Sequence, residues 1–137
     1  MRPLSSVLEN RVCEYDWMKE KLQEHQFALG GNWDYDHGFY DRFLDDERQV
    51  WLRIPFYVVA GRLAGDDAYN PDTSVRIGTP LVLKHKYEEG LDQDAMMHVT
   101  NALFDQFQAP TDRDASVEDR WVKEAQSILG HLEKSMG

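Results

Sequence analysis

The sequence predicts one α+β domain, residues 1–137, in which helices pack on one face of an antiparallel sheet. Two observations carry this prediction. The middle of the chain alternates apolar and polar residues with a period of two, and both flanks show the spacing of amphipathic helices. Because helices and strands are segregated along the chain, the second face of the sheet is expected to be open to solvent.

The first part of the chain is predicted to form a strand and then a helix. Residues 4–12 are assigned to the first strand, although their alternation is poor. An apolar stripe between charged residues predicts a helix over residues 14–26. Asn32 to Tyr35 is predicted as the next strand, and Asp36-His37-Gly38 as the tight turn after it, because Asp and Gly suit turn dihedrals.

The clearest strand prediction covers residues 50–60. Its even-numbered residues are all apolar and belong on the core side, whereas its odd-numbered face is mixed. Phe39 to Leu44 is predicted as the strand before it, and the acidic run Asp45-Asp46-Glu47 as the turn of the resulting hairpin. The mixed face includes Trp51, Arg53, Tyr57 and Val59.

The last part of the chain is predicted to contain a loop, a strand and a long helix. Residues 65–74 are predicted as a surface loop and residues 75–84 as a strand, in which Pro80 indicates an edge or a bulge. Residues 91–109 fit either a helix or a strand, and a short helix is favoured. The final helix is expected to begin after Ser116 as its N-cap.

The charge balance narrows the classes of partner. Fifteen basic against 25 acidic residues give a net charge of −10, which disfavours nucleic acids and anionic membranes. Two kinds of partner are compatible with this charge: a second copy of the chain, which would give a homodimer, and a small-molecule ligand. Cys13 is the one cysteine, so neither an internal disulfide nor a cysteine-based zinc site can form. Without an apolar signal-peptide core at the N-terminus, a cytoplasmic location is expected.

Residues 30–41 are the segment where a function is most expected, because aromatic, acidic and histidine side chains are concentrated there. Asp34 and Asp36, with His37 or Asp41, offer oxygen and nitrogen ligands for a divalent metal. The alternative is structural, with the carboxylates capping a hairpin turn and the rings packing across strands. The structural alternative is favoured, so no metal and no cofactor are predicted.

Two further groups of residues suggest ligand binding. The rings of Trp33, Tyr35, Tyr40, Trp51 and Tyr57 either stack on a sugar or a base or form ordinary sheet core. Several cations on the predicted strands either bind an anion together or pair across strands with Asp34, Asp41 or Glu88, and the pairing is favoured. These cations are Arg53, Arg62, Arg76, Lys84, His85 and Lys86. No catalytic residues are predicted, because nucleotide-binding and hydrolase motifs are absent. The candidate ligand-binding residues are Trp33, Asp34, Asp36, His37, Asp41, Trp51, Arg53 and Arg76.

The chain resembles the YugN-like family of Gram-positive bacteria over nearly its whole length. The residues that carry the resemblance are Phe27-x-Leu29-Gly30-Gly31-Asn32-Trp33-Asp34-Tyr35-Asp36-His37-Gly38, Leu52-Arg53-Ile54-Pro55-Phe56, Pro80-x-Val82-Leu83-Lys84-His85, Asp105-Gln106-Phe107-Gln108-x-Pro110 and Trp121. The resemblance implies the order β-α-β-β-β-β-α and a curved antiparallel sheet similar to the TBP-like superfold. It implies no activity and no catalytic residues.

Three hypotheses about function follow. The first is a binding or interaction module, expected to be a homo-oligomer, that uses the open sheet face. The second is a small enzyme acting on a sugar or a phosphorylated metabolite, which requires Asp34, Asp36, His37 and Asp41 to share a face with Arg53 and Arg76. The third is a metal-dependent variant of either, with Asp34, Asp36 and His37 as ligands.

Overall fold

The computed structural model describes residues 1–31, 33–64, 70–84 and 117–137. Within them, seven strands form one open antiparallel sheet and two helices pack on one of its faces, which confirms the predicted fold class. The elements are β1 (Arg2–Pro3), β2 (Val12–Glu14), α1 (Tyr15–Glu24), β3 (Ala28–Leu29), β4 (His37–Phe43), β5 (Val50–Ala60), β6 (Ser74–Ile77), β7 (Leu81–Lys84) and α2 (Asp119–Met136).

Strand β5 is the centre of the sheet. Strand β4 pairs along one of its edges, while β7 and β6 share the other edge, β7 beside its start and β6 beside its end. Strands β1, β2 and β3 are the outermost strands. The predicted strand over residues 75–84 is therefore two strands, separated at Gly78, Thr79 and Pro80. Proline has no amide hydrogen to donate, so the hydrogen-bond ladder is interrupted where Pro80 was expected to disturb it.

The core lies between the helices and the even-numbered face of β5. Val50, Leu52, Ile54 and Phe56 are at most 2% exposed, which confirms the predicted alternation as far as Phe56. Val58 is half-buried and Ala60 is exposed, because a bulge shifts the register between them. The helices contribute the other wall of this core. Their buried residues are Tyr15, Met18 and Leu22 of α1 and Ala125, Ile128, Leu129, Leu132 and Met136 of α2. Each large side chain removed from water in this way stabilises the fold by about 1.5–3 kcal/mol.

The first predicted strand is wrong in position. Residues 4–11 form turns, and the short strands β1 and β2 lie on either side of them. Leu4 and Leu8 are both buried in the core, and the backbone between them is tied to α2 through the hydroxyl of Ser6, which donates to the Glu133 carboxylate at 2.7 Å. Two inward leucines four residues apart do not fit a pleated strand, and this is why the alternation was poor.

The strand predicted at residues 32–35 and the turn predicted at residues 36–38 are also wrong. The described residues of the segment form a turn around Tyr35 and Asp36, closed by a 2.7 Å hydrogen bond from the Asp34 amide to the His37 carbonyl. Gly38 lies inside β4. A Cβ atom at Gly38 would come within 2.7 Å of the Phe56 ring, so the glycine is needed for close packing in the strand.

The two helices differ in how closely they match the prediction. Helix α1 falls inside the predicted range of residues 14–26. Helix α2 begins at Asp119 with Glu118 as its N-cap, whereas the predicted N-cap Ser116 and the segment 91–109 lie outside the described residues. In the part of the chain that the structure describes, no helix is long and apolar enough to cross a membrane.

Candidate functional site

We call the face of the sheet opposite the helices the open face. It is formed by side chains that alternate with the core residues, because residues directly opposite each other in an antiparallel pair share a face. Strand register places Phe43 beside Trp51, Asp41 beside Arg53, and His37 beside Tyr57. The described residues of the open face are Pro3, Val12, Glu14, Ala28, His37, Phe39, Asp41, Phe43, Trp51, Arg53, Pro55, Tyr57, Val59, Ser74, Arg76, Leu81 and Leu83.

Arg53 lies at the centre of this face. Its Nε and Nη2 atoms donate to the two carboxylate oxygens of Asp41 at 2.9 and 3.1 Å, a paired geometry that matches a guanidinium to a carboxylate. The pairing of Arg53 with Asp41 across two strands was one of the alternatives drawn from the sequence, and it is confirmed. Because this pairing occupies one edge of the guanidinium, the planar faces of the group are left for contact with aromatic rings.

Aromatic rings and guanidinium groups contact one another in series along the open face. The Arg53 guanidinium carbon lies 4.5 Å from the ring centroid of Phe39 and 5.8 Å from that of Trp51. Trp51 meets Phe43 edge-on with centroids 6.1 Å apart, and Arg48 lies 5.5 Å from the Phe43 centroid. These contacts are cation–π and edge-to-face interactions, each favourable by about 0.5–1.5 kcal/mol. We call this set, Arg48, Phe43, Trp51, Arg53 and Phe39, the aromatic–arginine row.

Large apolar groups on the open face are accessible to solvent. Phe43 is 47% exposed and Tyr57 is 53% exposed, and Val59 and Val12 are exposed to a similar degree. Tyr57 and Val12 lie on either side of Arg76, whereas Phe43 lies at the opposite end of the face. Single exposed apolar residues are ordinary, but several on one sheet face are typical of an interaction site.

The turn around Tyr35 and Asp36 lies at one end of the open face. Asp34, Asp36 and His37 offer ligand atoms that all lie within 4.8 Å of one another. The same atoms serve the turn, since the Asp34 carboxylate accepts the Tyr35 amide at 2.7 Å and the His37 Nδ1 bonds the Asp36 carboxylate at 2.7 Å. This arrangement supports the structural interpretation of the carboxylates, and the metal-dependent hypothesis stays a prediction.

The structure brings most of the predicted ligand-binding residues to one surface. His37, Asp41, Trp51, Arg53 and Arg76 lie on the open face, and Trp33, Asp34 and Asp36 lie in the turn at its end. The strand side chains on which the enzyme hypothesis depends therefore do not point to opposite faces. The aromatic residues that were proposed to stack on a sugar or a base do not all lie on this surface, however. Tyr40 is fully buried on the core side, where its hydroxyl bonds that of Tyr15 at 2.8 Å.

Sequence reasoning did not select Phe39, Phe43 and Arg48 as members of the site. The period of two over β4 contains the signal for both phenylalanines, because they alternate with the buried Tyr40. No sequence signal marks Arg48. It reaches Phe43 because the turn after β4 places it with a φ angle of 59°, a left-handed conformation that is uncommon outside glycine.

Among the described residues, two ionisable groups outside the open face have shifted pKa values. Burial raises the pKa of the Cys13 thiol above its ordinary value, against the lowering effect of the Arg11 charge. A hydrogen bond from Arg2 and its positive charge lower the pKa of the Asp119 carboxylate, which is fully exposed. The raised pKa of Cys13 favours the neutral thiol, a poor nucleophile and metal ligand.

The fold and the site together define a class of protein. It is an α+β chain of domain size in which helices cover one face of an antiparallel sheet, and aromatic and arginine side chains lie on the other face. The chain belongs to the YugN-like family, whose model matches residues 3–136. This confirms the resemblance inferred from the sequence.

Two relatives agree with this assignment. The chain is 30% identical over 134 residues to YugN of Bacillus subtilis (strain 168), itself an uncharacterised protein, covering 97% of this chain and 96% of that one. The crystal structure of the uncharacterised conserved protein YugN from Geobacillus kaustophilus HTA426 superposes with a TM-score of 0.67 at 18% identity, over 98% of this chain and 93% of that one. At that identity the superposition supports the fold alone, and the likeness to the TBP-like superfold is not confirmed.

Proposed function

We propose that this protein is an interaction module that associates with a second copy of itself through the open face. The observation that carries the proposal is the aromatic–arginine row, a continuous series of ring and guanidinium contacts on the sheet face that the described helices leave uncovered. A cytoplasmic location is part of the proposal, supported by the single cysteine in the sequence.

The residue types on the open face support a protein partner. Trp, Tyr, Phe and Arg are enriched in protein interfaces, and Trp, Tyr and Arg are the commonest residues whose truncation weakens binding strongly. The aromatic–arginine row supplies Trp51 and Arg53, and Tyr57 lies beside it on β5. These side chains have few rotatable bonds or are held by neighbours, so ordering them in an interface costs little entropy.

The charge distribution supports a second copy as that partner. The whole chain has a net charge of −10, so two copies repel each other at most of their surface. On the described strands of the open face, the two acidic side chains Glu14 and Asp41 are matched by Arg53 and Arg76. Self-association through this face therefore avoids the repulsion, and a two-fold interface uses the same patch on both subunits.

Light scattering coupled to size-exclusion chromatography tests the proposal. The wild-type chain should elute with twice its 16.0 kDa mass, and Tyr57→Glu should elute as a monomer because it places an unpaired charge on an exposed ring of the open face. Val7→Glu is the matched control, since Val7 is 80% exposed and lies away from the open face. It should stay dimeric.

Two results would contradict the proposed dimer. If the wild-type chain is a monomer throughout the micromolar range, or if Tyr57→Glu and Val7→Glu dimerise equally, the proposal fails. Circular dichroism and melting temperature distinguish loss of association from loss of folding, and Tyr57 is exposed enough that its replacement should leave the fold intact.

The enzyme hypothesis stays the second candidate. What favours it is that His37, Tyr57 and Arg76 lie side by side on three adjacent strands of the open face. What weighs against it is that Asp41 is already held by Arg53 and is therefore a poor general base. A sugar phosphate that stabilises the wild-type chain and has no effect on Arg76→Gln would favour the enzyme over the interaction module.

A further inference from the structure

A cleft of about 490 Å³ lies on the helical side of the molecule, away from the open face. The last residues of α1, the middle of α2 and the side chain of Arg42 from β4 surround it. The cleft is largely open to solvent, since most of the side chains around it are exposed, and its volume is enough to admit a small molecule. The residues that line it are Glu24, His25, Gln26, Arg42, Glu124, Ser127, Ile128 and His131.

The end of α1 forms a rigid wall of this cleft. The amides of Gln26 and Phe27 return to the carbonyls of Gln23 and Leu22 at 3.0 and 2.9 Å, the hydrogen-bond pattern of a Schellman motif. Gln26 takes the left-handed position of this motif with a φ angle of 67°, where glycine is the usual residue. A strained non-glycine residue held in this way fixes the direction of the chain where it borders the cleft.

Arg42 places a positive charge against this wall. Its Nη1 atom donates to the His25 carbonyl at 3.1 Å, at the negative end of the α1 dipole. Within residues 1–31, 33–64, 70–84 and 117–137, no carboxylate lies within ion-pair distance of this half-buried guanidinium. Of the five N–H donors of a guanidinium, the described residues use one, at the His25 carbonyl, so Arg42 retains donors for an anionic group in the cleft.

Acceptors face the cleft from both helices. Glu24 stands on the α1 side, and among the described residues its one ion-pair contact is a long one of 3.9 Å with Lys21. Glu124 stands on the α2 side, one turn before Ser127 and Ile128. His25 is oriented by its own helix, because its Nδ1 donates to the Lys21 carbonyl at 2.9 Å. No described residue bonds its Nε2, which can therefore contact a ligand.

We propose that this cleft binds a small zwitterion of the amino-acid type. The ligand's carboxylate pairs with Arg42 in the two-bond geometry that a guanidinium favours. Its ammonium group is bound by the Glu124 carboxylate, and Ile128 provides an apolar contact for the side chain. A purely anionic ligand would be repelled by the two glutamates, and a purely cationic one by Arg42. The proposal is independent of dimerisation, since none of these residues lies on the open face.

The test is a titration of the ¹⁵N-labelled chain with each of the twenty standard amino acids, with acetate and methylammonium as probes that carry only one of the two charges. At least one amino acid should shift the amide resonances of His25, Gln26, Ser127 and Ile128, and leave those of Trp51 and Tyr57 in place. Acetate and methylammonium should bind at least tenfold more weakly than that amino acid, because each lacks one charge-assisted contact.

Two variants and their controls locate the site. Arg42→Lys keeps the charge but not the two-bond geometry, and Glu124→Gln keeps the size but not the charge, so each should raise the Kd about tenfold or more. Arg120→Lys and Glu20→Gln make the same changes at exposed positions outside the cleft and should bind as the wild type does. The monomeric Tyr57→Glu variant should also bind normally, so this proposal and the proposed dimer can fail separately.

The proposal is overturned if no amino acid shifts these resonances, if the shifts map elsewhere, or if both cleft variants bind as tightly as the wild type. A dispersed amide spectrum establishes that each variant is folded. Should Arg42→Lys not fold, Glu124→Gln decides the question alone, because Glu124 is exposed on α2 and its loss does not affect the core.

Discussion

Arg53 and Asp41 lie opposite each other on β5 and β4, and two hydrogen bonds of 2.9 and 3.1 Å join the guanidinium to the carboxylate. Their side chains are only 25% and 17% exposed, so each charge depends on the other for much of its solvation. The pairing also holds the guanidinium against Phe39 and Trp51. One ion pair therefore determines the position of the central side chain of the open face.

Removing Asp41 should destabilise the fold. In Asp41→Ala the half-buried Arg53 loses its partner, and we expect the free energy of unfolding to fall by about 1–3 kcal/mol, less than for a fully buried pair. Urea denaturation monitored by circular dichroism measures the change. Asp119→Ala, which removes the carboxylate of the exposed pair with Arg2, is the control and should leave the urea midpoint nearly unchanged. Equal effects of the two substitutions would show that burial does not set the strength of these ion pairs.

Alanine substitutions at two glycine positions should change the stability of the fold in opposite directions. At Gly38 the new Cβ atom would lie 2.7 Å from the Phe56 ring and 3.1 Å from the Trp33 Cβ, so Gly38→Ala should destabilise the fold by about 1–3 kcal/mol. At Gly130, inside α2, nothing lies within 4 Å of the added atom, so Gly130→Ala should stabilise it by about 0.5–1 kcal/mol. Thermal unfolding of both variants beside the wild type tests the pair. A stabilised Gly38→Ala would show that the close approach of Phe56 does not constrain β4.

The raised pKa of Cys13 predicts a pH dependence of stability. Burial holds the folded thiol neutral at pH values where the unfolded thiol ionises, so the unfolded state is favoured as the pH rises above the ordinary value of 9.0. The stability of the wild type relative to Cys13→Ala should therefore be constant at neutral pH and should decline from about pH 9 upwards. Urea midpoints of both proteins from pH 7 to pH 10 measure this difference.

Alkylation provides a second measurement on the same thiol. Iodoacetamide should modify Cys13 several-fold more slowly in the folded chain than in urea, because the reaction requires an accessible thiolate. A reaction that is equally fast in both states would show that the fold neither shields this thiol nor keeps it neutral.

Local patterns in the sequence were enough to predict the strongest elements. The bounds of β5 were predicted at residues 50–60, because eleven residues keep one period in the sequence. Its core-facing residues were predicted correctly from Val50 to Phe56, whereas Val58 is half-buried and Ala60 is exposed beyond a bulge. Helix α1 was predicted for the same reason, from an apolar stripe that ends at Leu22. The pairing of Arg53 with Asp41 was among the alternatives because opposite charges on adjacent strands favour each other.

Where the prediction failed, a distant contact had determined the local structure. Gly38 suits a turn, but the ring of Phe56 on the neighbouring strand requires it inside β4, and this moves the turn to Tyr35 and Asp36. Leu4 and Leu8 were assigned to a strand, but their burial in the core holds the segment in turns instead. His25 and His131 are over a hundred residues apart in the chain, and only the packing of α1 near α2 brings them to one cleft.

The sequence by itself determined the fold class, the alternation of the central strands, the acidic charge and the family, because each of these depends on residue types and on spacings within one element. Only the tertiary structure decided which side chains meet. The aromatic–arginine row joins β4, β5 and the turn between them, and the cleft at Arg42 joins two helices and a strand. The physical reason is that pleating and helical periods fix the direction of a side chain within its element, whereas strand register and packing fix its neighbours.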